Sequence, residues 1–184
     1  MVALTTPAPQ LGMPAPPFRL PDPSGKAWAL QDCAGANGTV VMFICNHCPY
    51  VKAVIDRIVR DCRELDDFGV GAVAIMPNDI ERYPSDAPDR MAAFAAEHQL
   101  TIPYLYDKSQ AVAHSYGAVC TPDFFGFDGD LRLRYRGRLD ASRMDPAPPD
   151  AERELFVAMV RIAAGEPGPE EQLPSMGCSI KWKT

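Results

Sequence analysis

The run Thr39-Val40-Val41-Met42-Phe43-Ile44-Cys45-Asn46-His47-Cys48-Pro49-Tyr50-Val51 decides how the rest of the chain is read. Its first six residues are β-branched or apolar and predict a buried strand. From Pro49 the apolar period changes. Val51, Val54, Ile55, Ile58, Val59, Cys62 and Leu65 make one stripe of a helix over 49–65. Cys45 and Cys48 are therefore held at a strand-to-helix junction. Unpaired backbone N–H groups at a helix start favour an anion, and a thiolate is one. The first sulfur is the better placed for exposure and the second for burial. Two such thiols suit reversible dithiol–disulfide exchange.

Outward from this junction, Val70 to Met76 reads as a second buried strand, which completes a βαβ unit. Asp86 is placed to cap a helix from Ala87 to His98. A short strand is expected over 102–106, and a helix from Ser109 to Tyr116 that Gly117 ends. Phe124 to Phe127, the turn Asp128-Gly129-Asp130 and Leu131 to Tyr135 form a hairpin. A last helix is expected over 150–164, stopped by Gly165. Upstream, the proline-rich residues 1–25 read as an extended lead-in. A hairpin turning at Asp22-Pro23-Ser24-Gly25 places Phe18 and Leu20 opposite Trp28 and Leu30. Residues 166–184 show little regular pattern. The expectation is one domain over 1–184, with an extension and hairpin to residue 38, a core over 39–165 and a tail.

Composition narrows the function classes. The chain has 184 residues, enough to bury a core without staples, and its 47% apolar and 23% charged residues are ordinary for a globular protein. A formal charge of −6 with scattered basic residues argues against a nucleic-acid partner. No run reaches the roughly 18 to 20 apolar residues that span a bilayer, so no membrane is implied. The start, Met1-Val2-Ala3-Leu4-Thr5-Thr6-Pro7, lacks the charged and apolar regions of an export signal, which makes the cytoplasm the expected location. In that setting six cysteines point to redox or metal chemistry rather than a disulfide framework.

The order of elements resembles that of the thioredoxin fold: CxxC after the first strand of βαβ, an αβ excursion, a hairpin and a last helix. Cys120-Thr121-Pro122 stands before the hairpin strand, where such proteins carry a cis-proline facing the dithiol. Phe43 to Val51, Thr121-Pro122-Asp123-Phe124-Phe125, Tyr135-Arg136-Gly137-Arg138-Leu139-Asp140 and Gly177-Cys178-Ser179-Ile180-Lys181-Trp182-Lys183 resemble the peroxiredoxin-like redoxins, the AhpC/TSA-like branch of that family. The resemblance runs from about residue 12 to 183. It implies an α/β protein of three layers, α/β/α, around a central mixed sheet, with an N-terminal hairpin extension and a C-terminal tail. It implies thiol–disulfide oxidoreductase activity on a protein or low-molecular-weight disulfide, an upstream thiol reductant, and no cofactor.

Within that resemblance two chemistries compete. A peroxidatic cysteine follows a Thr or Ser three residues earlier, whereas Met42 precedes Cys45 and Cys45 itself precedes Cys48. A thiol peroxidase is therefore the alternative, and dithiol exchange comes first, with Cys45 as nucleophile and Cys48 as resolving thiol. The chain departs from thioredoxin as well: Ile44 stands for a tryptophan, and Asn46-His47 for Gly-Pro. His47 is expected to favour the Cys45 thiolate and, with Asn46, to tune the couple above thioredoxin's roughly −270 mV. Pro49 leaves the Cys45 carbonyl without its usual donor, so the helix start is expected to be irregular. Thr121 would offer its backbone to an extended substrate by strand addition.

Other cysteines carry weaker expectations. Cys62 lies on the helix stripe and reads as core, and Cys33 as a loop or strand-end thiol. Cys120 and Cys178 are a possible auxiliary redox pair, or a relay to the dithiol. A non-enzymatic tetrathiolate of Cys45, Cys48, Cys120 and Cys178 is a lower alternative, since only one CxxC is present; the expectation is no metal. Arg136 and Arg138 read as a solvated strand face, His98 and His114 as surface or satisfied residues, and Tyr104 and Tyr106 as packing.

Overall fold

The computed structural model describes residues 3–184; Met1 and Val2, where the expected lead-in begins, lie outside the described residues. In chain order the backbone forms β1 (Ala3–Thr5), the hairpin of β2 (Arg19–Pro21) and β3 (Ala27–Ala29), and one helical turn, α1 (Leu30–Cys33). There follow β4 (Gly38–Phe43), α2 (Pro49–Lys52), α3 (Ile55–Asp66) and β5 (Val70–Met76). The second half contains α4 (Pro88–Glu97), β6 (Tyr104–Tyr106), α5 (Ala111–Tyr116), β7 (Cys120–Thr121), β8 (Asp123–Asp128), β9 (Leu133–Tyr135), α6 (Glu154–Ala163) and β10 (Met176–Ser179).

Five strands form the central sheet, in the order β6-β5-β4-β8-β9. The first three run parallel; β8 is antiparallel to β4 and β9 antiparallel to β8, so the sheet is mixed. Side chains of β4 alternate across it. Val40, Met42 and Ile44 join the core built with α3, α4 and α6, while Val41 and Phe43 face α5, α1 and the β2–β3 hairpin. A strand buried on both faces reads as a continuous apolar run, which is what residues 39–44 show. Three layers result, helices on each side of the sheet.

The helix expected over 49–65 is interrupted. Pro49 takes the first helical position, the Ala53 N–H bonds the Pro49 carbonyl, and the Val54 N–H bonds the nearer Val51 carbonyl. That tighter turn closes α2, and Val54, at φ −123°, separates it from α3. The irregular helix start is therefore real and spans the first turn.

The tail departs from expectation most. β10 is a strand in a second, three-stranded sheet of order β1-β10-β7. Cys178 lies opposite Ala3 on one side and Thr121 on the other; Ser179 lies opposite Cys120. Gly177 permits this approach, because a Cβ there would stand 2.0 Å from the Thr121 carbonyl oxygen. Beyond β10 the Ile180 N–H bonds the Val119 carbonyl, and Trp182 stacks on His114 with ring centroids 4.0 Å apart. No helix among the described residues is long and apolar enough to cross a membrane.

Candidate active site

β4 ends at Phe43, and the Ile44 N–H still bonds the Ile75 carbonyl, so Cys45 leaves the sheet from a fixed point. Cys48 then caps α2. The two thiols hydrogen-bond each other. Thr121 bridges them from across the site: its Oγ1 is 3.3 Å from Cys45 Sγ, and its carbonyl accepts from Cys48 Sγ at 3.1 Å. The Thr121–Pro122 peptide is cis. The structure thus brings Cys45, Cys48 and Thr121 together, with Pro122 next in the chain.

Exposure differs from expectation. Cys45 is 1% exposed and Cys48 0%, so both sulfurs are covered rather than one. Grooves open on either flank. One is lined by Asn46, His47, Lys52, Ser85, Arg90 and Phe94, the other by Tyr50, Pro122, Leu139, Ser175 and Met176 among others. The backbone edge of Thr121, expected to take a substrate strand, is occupied by β10 of the same chain.

Asp86 is the residue the sequence reading misplaced. Ala87 caps α4, and Asp86 sits one residue earlier, fully buried, with its carboxylate turned inward. Oδ1 accepts the Asn46 N–H at 2.9 Å; Oδ2 accepts from Asn78 Nδ2 at 2.8 Å and lies 2.7 Å from His47 Nδ1. The last is a charge contact when the imidazole is protonated, since neither ring nitrogen makes a directed hydrogen bond. Tyr83 stacks on His47, with planes 8° apart. Asn46 is held on two further sides, donating to the Ser85 carbonyl and accepting from Tyr104 Oη at 2.9 Å. Tyr104 is accordingly part of the site's frame, beyond packing.

This frame reverses the expected acidity of the pair. The hydrogen bond with Cys48 raises Cys45 well above an ordinary thiol, and burial and the Asp86 carboxylate act in the same direction. His47 is turned toward Asp86 rather than acting on Cys45 alone. Cys48 is the acidic partner, lowered to about 5 by the Cys45 thiol, the Cys178 thiol and N–H, and the Val51 N–H, against burial. The Thr121 carbonyl opposes this ionisation, but four donors outweigh one acceptor. Of the helix-start N–H groups, that of Val51 acts on the second sulfur, not the first.

The remaining thiols sort by depth. Burial pushes Cys62 up to about 12 and Cys33 up to about 11, which fits inert core; Cys33 belongs to α1 rather than a loop. Cys120 is buried and raised by desolvation and by Asp123. Its strand neighbour is Ser179, so Cys120 and Cys178 stand one register position apart rather than directly opposite each other. Cys178 instead hydrogen-bonds Cys48. The tetrathiolate is not formed. Among the described residues, the donors that converge within 4.8 Å are Cys45, His47 and Asp86, and both Asp86 oxygens are already engaged. Arg136, expected to face solvent, is 7% exposed and bound to fully buried Asp123 at 2.9 Å. Arg138 pairs with Glu154 at 2.6 Å.

The AhpC/TSA family model matches residues 11–136, more than half of the chain. The chain belongs to the AhpC/TSA family. No curated protein matches it. Among solved structures, an uncharacterized conserved protein from Geobacillus kaustophilus is 46% identical, with 100% of this chain and 97% of that one covered and a TM-score of 0.94. The thioredoxin domain of a thiol-disulfide oxidoreductase from Bacteroides vulgatus is 16% identical over 74% of this chain and 91% of that one, TM-score 0.59. Peroxidoxin BcpB from Mycobacterium tuberculosis is 18% identical over 84% and 96%, TM-score 0.61. The last two likenesses show the thioredoxin fold, and the AhpC/TSA match shows a redoxin.

Proposed function

We propose that this redoxin is a thiol–disulfide oxidoreductase that works through the Cys45–Cys48 dithiol. The observation that carries the reading is the meeting of both sulfurs at one residue, Cys45 Sγ 3.3 Å from Thr121 Oγ1 and Cys48 Sγ 3.1 Å from the Thr121 carbonyl oxygen, with Cys48 the more acidic of the two. Cys45 is the sulfur that meets the substrate, because its flank is polar: Thr121 Oγ1 on one side, His47 and Asp86 on the other. Its proton passes to Cys48 or to the imidazole as it attacks a substrate disulfide. One substrate sulfur leaves as a thiolate, and a Cys45–substrate disulfide forms. Cys48, any proton it took having passed to the first departing thiolate, then attacks Cys45 Sγ, which releases the second substrate thiolate and leaves Cys45–Cys48 oxidised. An upstream thiol reductant returns the pair to the dithiol. Substrates are disulfide-containing proteins or low-molecular-weight disulfides, reached through the flanking grooves, and the working location is the cytoplasm, where such a couple is kept reduced.

Thiol peroxidase activity is the second reading, and one observation favours it. The hydroxyl missing from the sequence position before Cys45 is supplied across the site by Thr121. Reduction of glutathione disulfide and of insulin, measured beside hydrogen peroxide consumption in wild type, Cys45→Ser and Thr121→Val, separates the two. Disulfide reduction lost in Cys45→Ser with negligible peroxide turnover supports the first reading. Rapid Thr121-dependent peroxide consumption without disulfide reduction overturns it.

A further inference from the structure

The dithiol is not alone where it is buried: the C-terminal strand delivers a third thiol to it. β10 is seated on the Thr121 edge with Cys178 directly across from Thr121, the residue whose two oxygens touch Cys45 and Cys48. Cys178 is 3% exposed, and its thiol hydrogen-bonds Cys48 Sγ. The strand is fixed on both sides. Ser175 Oγ donates to the Pro122 carbonyl at 2.8 Å, and the Lys181 N–H bonds Asn78 Oδ1 at 2.9 Å, the same Asn78 that holds Asp86. Gly177 brings the strand closer than any side chain would allow. An extended strand on this edge, presenting a sulfur to the dithiol, stands as a bound substrate would stand, yet it belongs to the chain itself.

We propose that Cys178 is a third redox-active cysteine that exchanges with the Cys45–Cys48 disulfide to give a Cys48–Cys178 disulfide. The step builds on the dithiol reading above. Cys178 gives up its proton and attacks Cys48 Sγ; the Cys48–Cys178 bond forms as the Cys45–Cys48 bond breaks. Cys45 leaves as the thiolate and takes up that proton. Two electrons stay within the three sulfurs throughout, so no outside oxidant or reductant is consumed. In the reduced protein burial and then the Cys48 sulfur hold Cys178 up at about 12; oxidation of Cys48 removes the second of these causes. The consequence is that Cys45 is restored as a thiol while the oxidising equivalent sits on the tail.

Wild-type protein is equilibrated in glutathione buffers of graded ratio, quenched in acid, alkylated and mapped by peptide mass spectrometry. The expected result is a peptide linking Cys48 to Cys178 beside the one linking Cys45 to Cys48. Cys45→Ser, oxidised by glutathione disulfide, is expected to lose two alkylatable thiols and to carry the Cys48–Cys178 link, with Cys62 and Cys33 still alkylated. A wild type that forms Cys45–Cys48 at every ratio and never Cys48–Cys178 overturns this inference and leaves the dithiol reading standing. The same holds if Cys178 in folded Cys45→Ser stays fully alkylatable after denaturation. If wild type forms neither disulfide, both readings fall. The wild-type map decides alone should the variant not fold.

Discussion

Asp86 Oδ2 lies 2.7 Å from His47 Nδ1. This contact links the middle of the CxxC to a fully buried carboxylate from the turn before α4, and it sets the charge beside Cys45. Asp86→Asn tests it. The amide can still accept the Asn46 N–H, but its NH2 then meets the NH2 of Asn78, leaving a buried donor unpaired. The expected cost is about 1–3 kcal/mol in urea unfolding. With the negative charge gone, the Cys45 thiol becomes more acidic, read as an added thiolate in an ultraviolet titration. An unchanged titration curve would mean that Asp86 does not act on Cys45.

The unequal pair also fixes how its potential follows pH. Cys48 is lowered to about 5 while Cys45 is raised, so above that pH the reduced protein holds one proton on two sulfurs. Reduction then takes up two electrons and one proton. The midpoint potential should fall by about 30 mV per pH unit as pH rises above 5, and by about 59 mV per unit below it, where both thiols are protonated. Cys45→Ala removes the first donor to Cys48 and should move its ionisation upward; Cys45→Ser keeps a donor and should move it less. A constant slope through this range would show that no thiolate is stabilised.

The parts of this site that were legible in sequence are those built from neighbouring residues. Cys45, Cys48 and Thr121-Pro122 stand in short motifs beside strands whose apolar runs announce them. Asp86 was misread because an Asp just before a helical pattern is ordinarily a cap, and nothing local shows that Asn46 and Asn78 will claim its oxygens. Arg136 follows an alternating strand, where arginine ordinarily faces water; its partner Asp123 begins the neighbouring strand. The strand β10 was invisible for a different reason. Its Met-Gly-Cys-Ser run has neither alternation nor propensity, and it is held by edges that β1 and β7 supply from distant parts of the chain.

Arg136 and Asp123 make a prediction about stability. The pair is buried, Arg136 also donates to the Gly117 carbonyl, and its guanidinium lies 4.4 Å from the Phe125 ring centre. Burial raises Asp123 to about 6 in spite of the arginine. Asp123→Ala strands the charge of Arg136 and should cost about 3–5 kcal/mol in chemical denaturation. Replacing both residues by apolar ones of similar size should recover most of that loss. A small effect of Asp123→Ala alone would mean that water reaches the guanidinium.

Gly177→Ala asks what the tail does for the dithiol. A Cβ at this position would stand 2.0 Å from the Thr121 carbonyl oxygen and 2.9 Å from the Pro122 nitrogen, both backbone atoms that cannot turn aside. The strand must therefore lift from β7 or drag the Thr121 loop with it, at a cost of about 1–3 kcal/mol by analogy with an overpacked core. Lifting withdraws the Cys178 thiol from Cys48, so the Cys48 thiolate loses a donor and its ionisation should rise from about 5. It also uncovers the Thr121 edge. Alkylation of native protein should then reach Cys178 and Cys48 faster than in wild type, and amide exchange should quicken across Met176–Ser179 while β4 and β5 stay protected. Wild-type alkylation rates in a folded Gly177→Ala protein would show that the sulfurs are shielded by the fold around them and not by this strand.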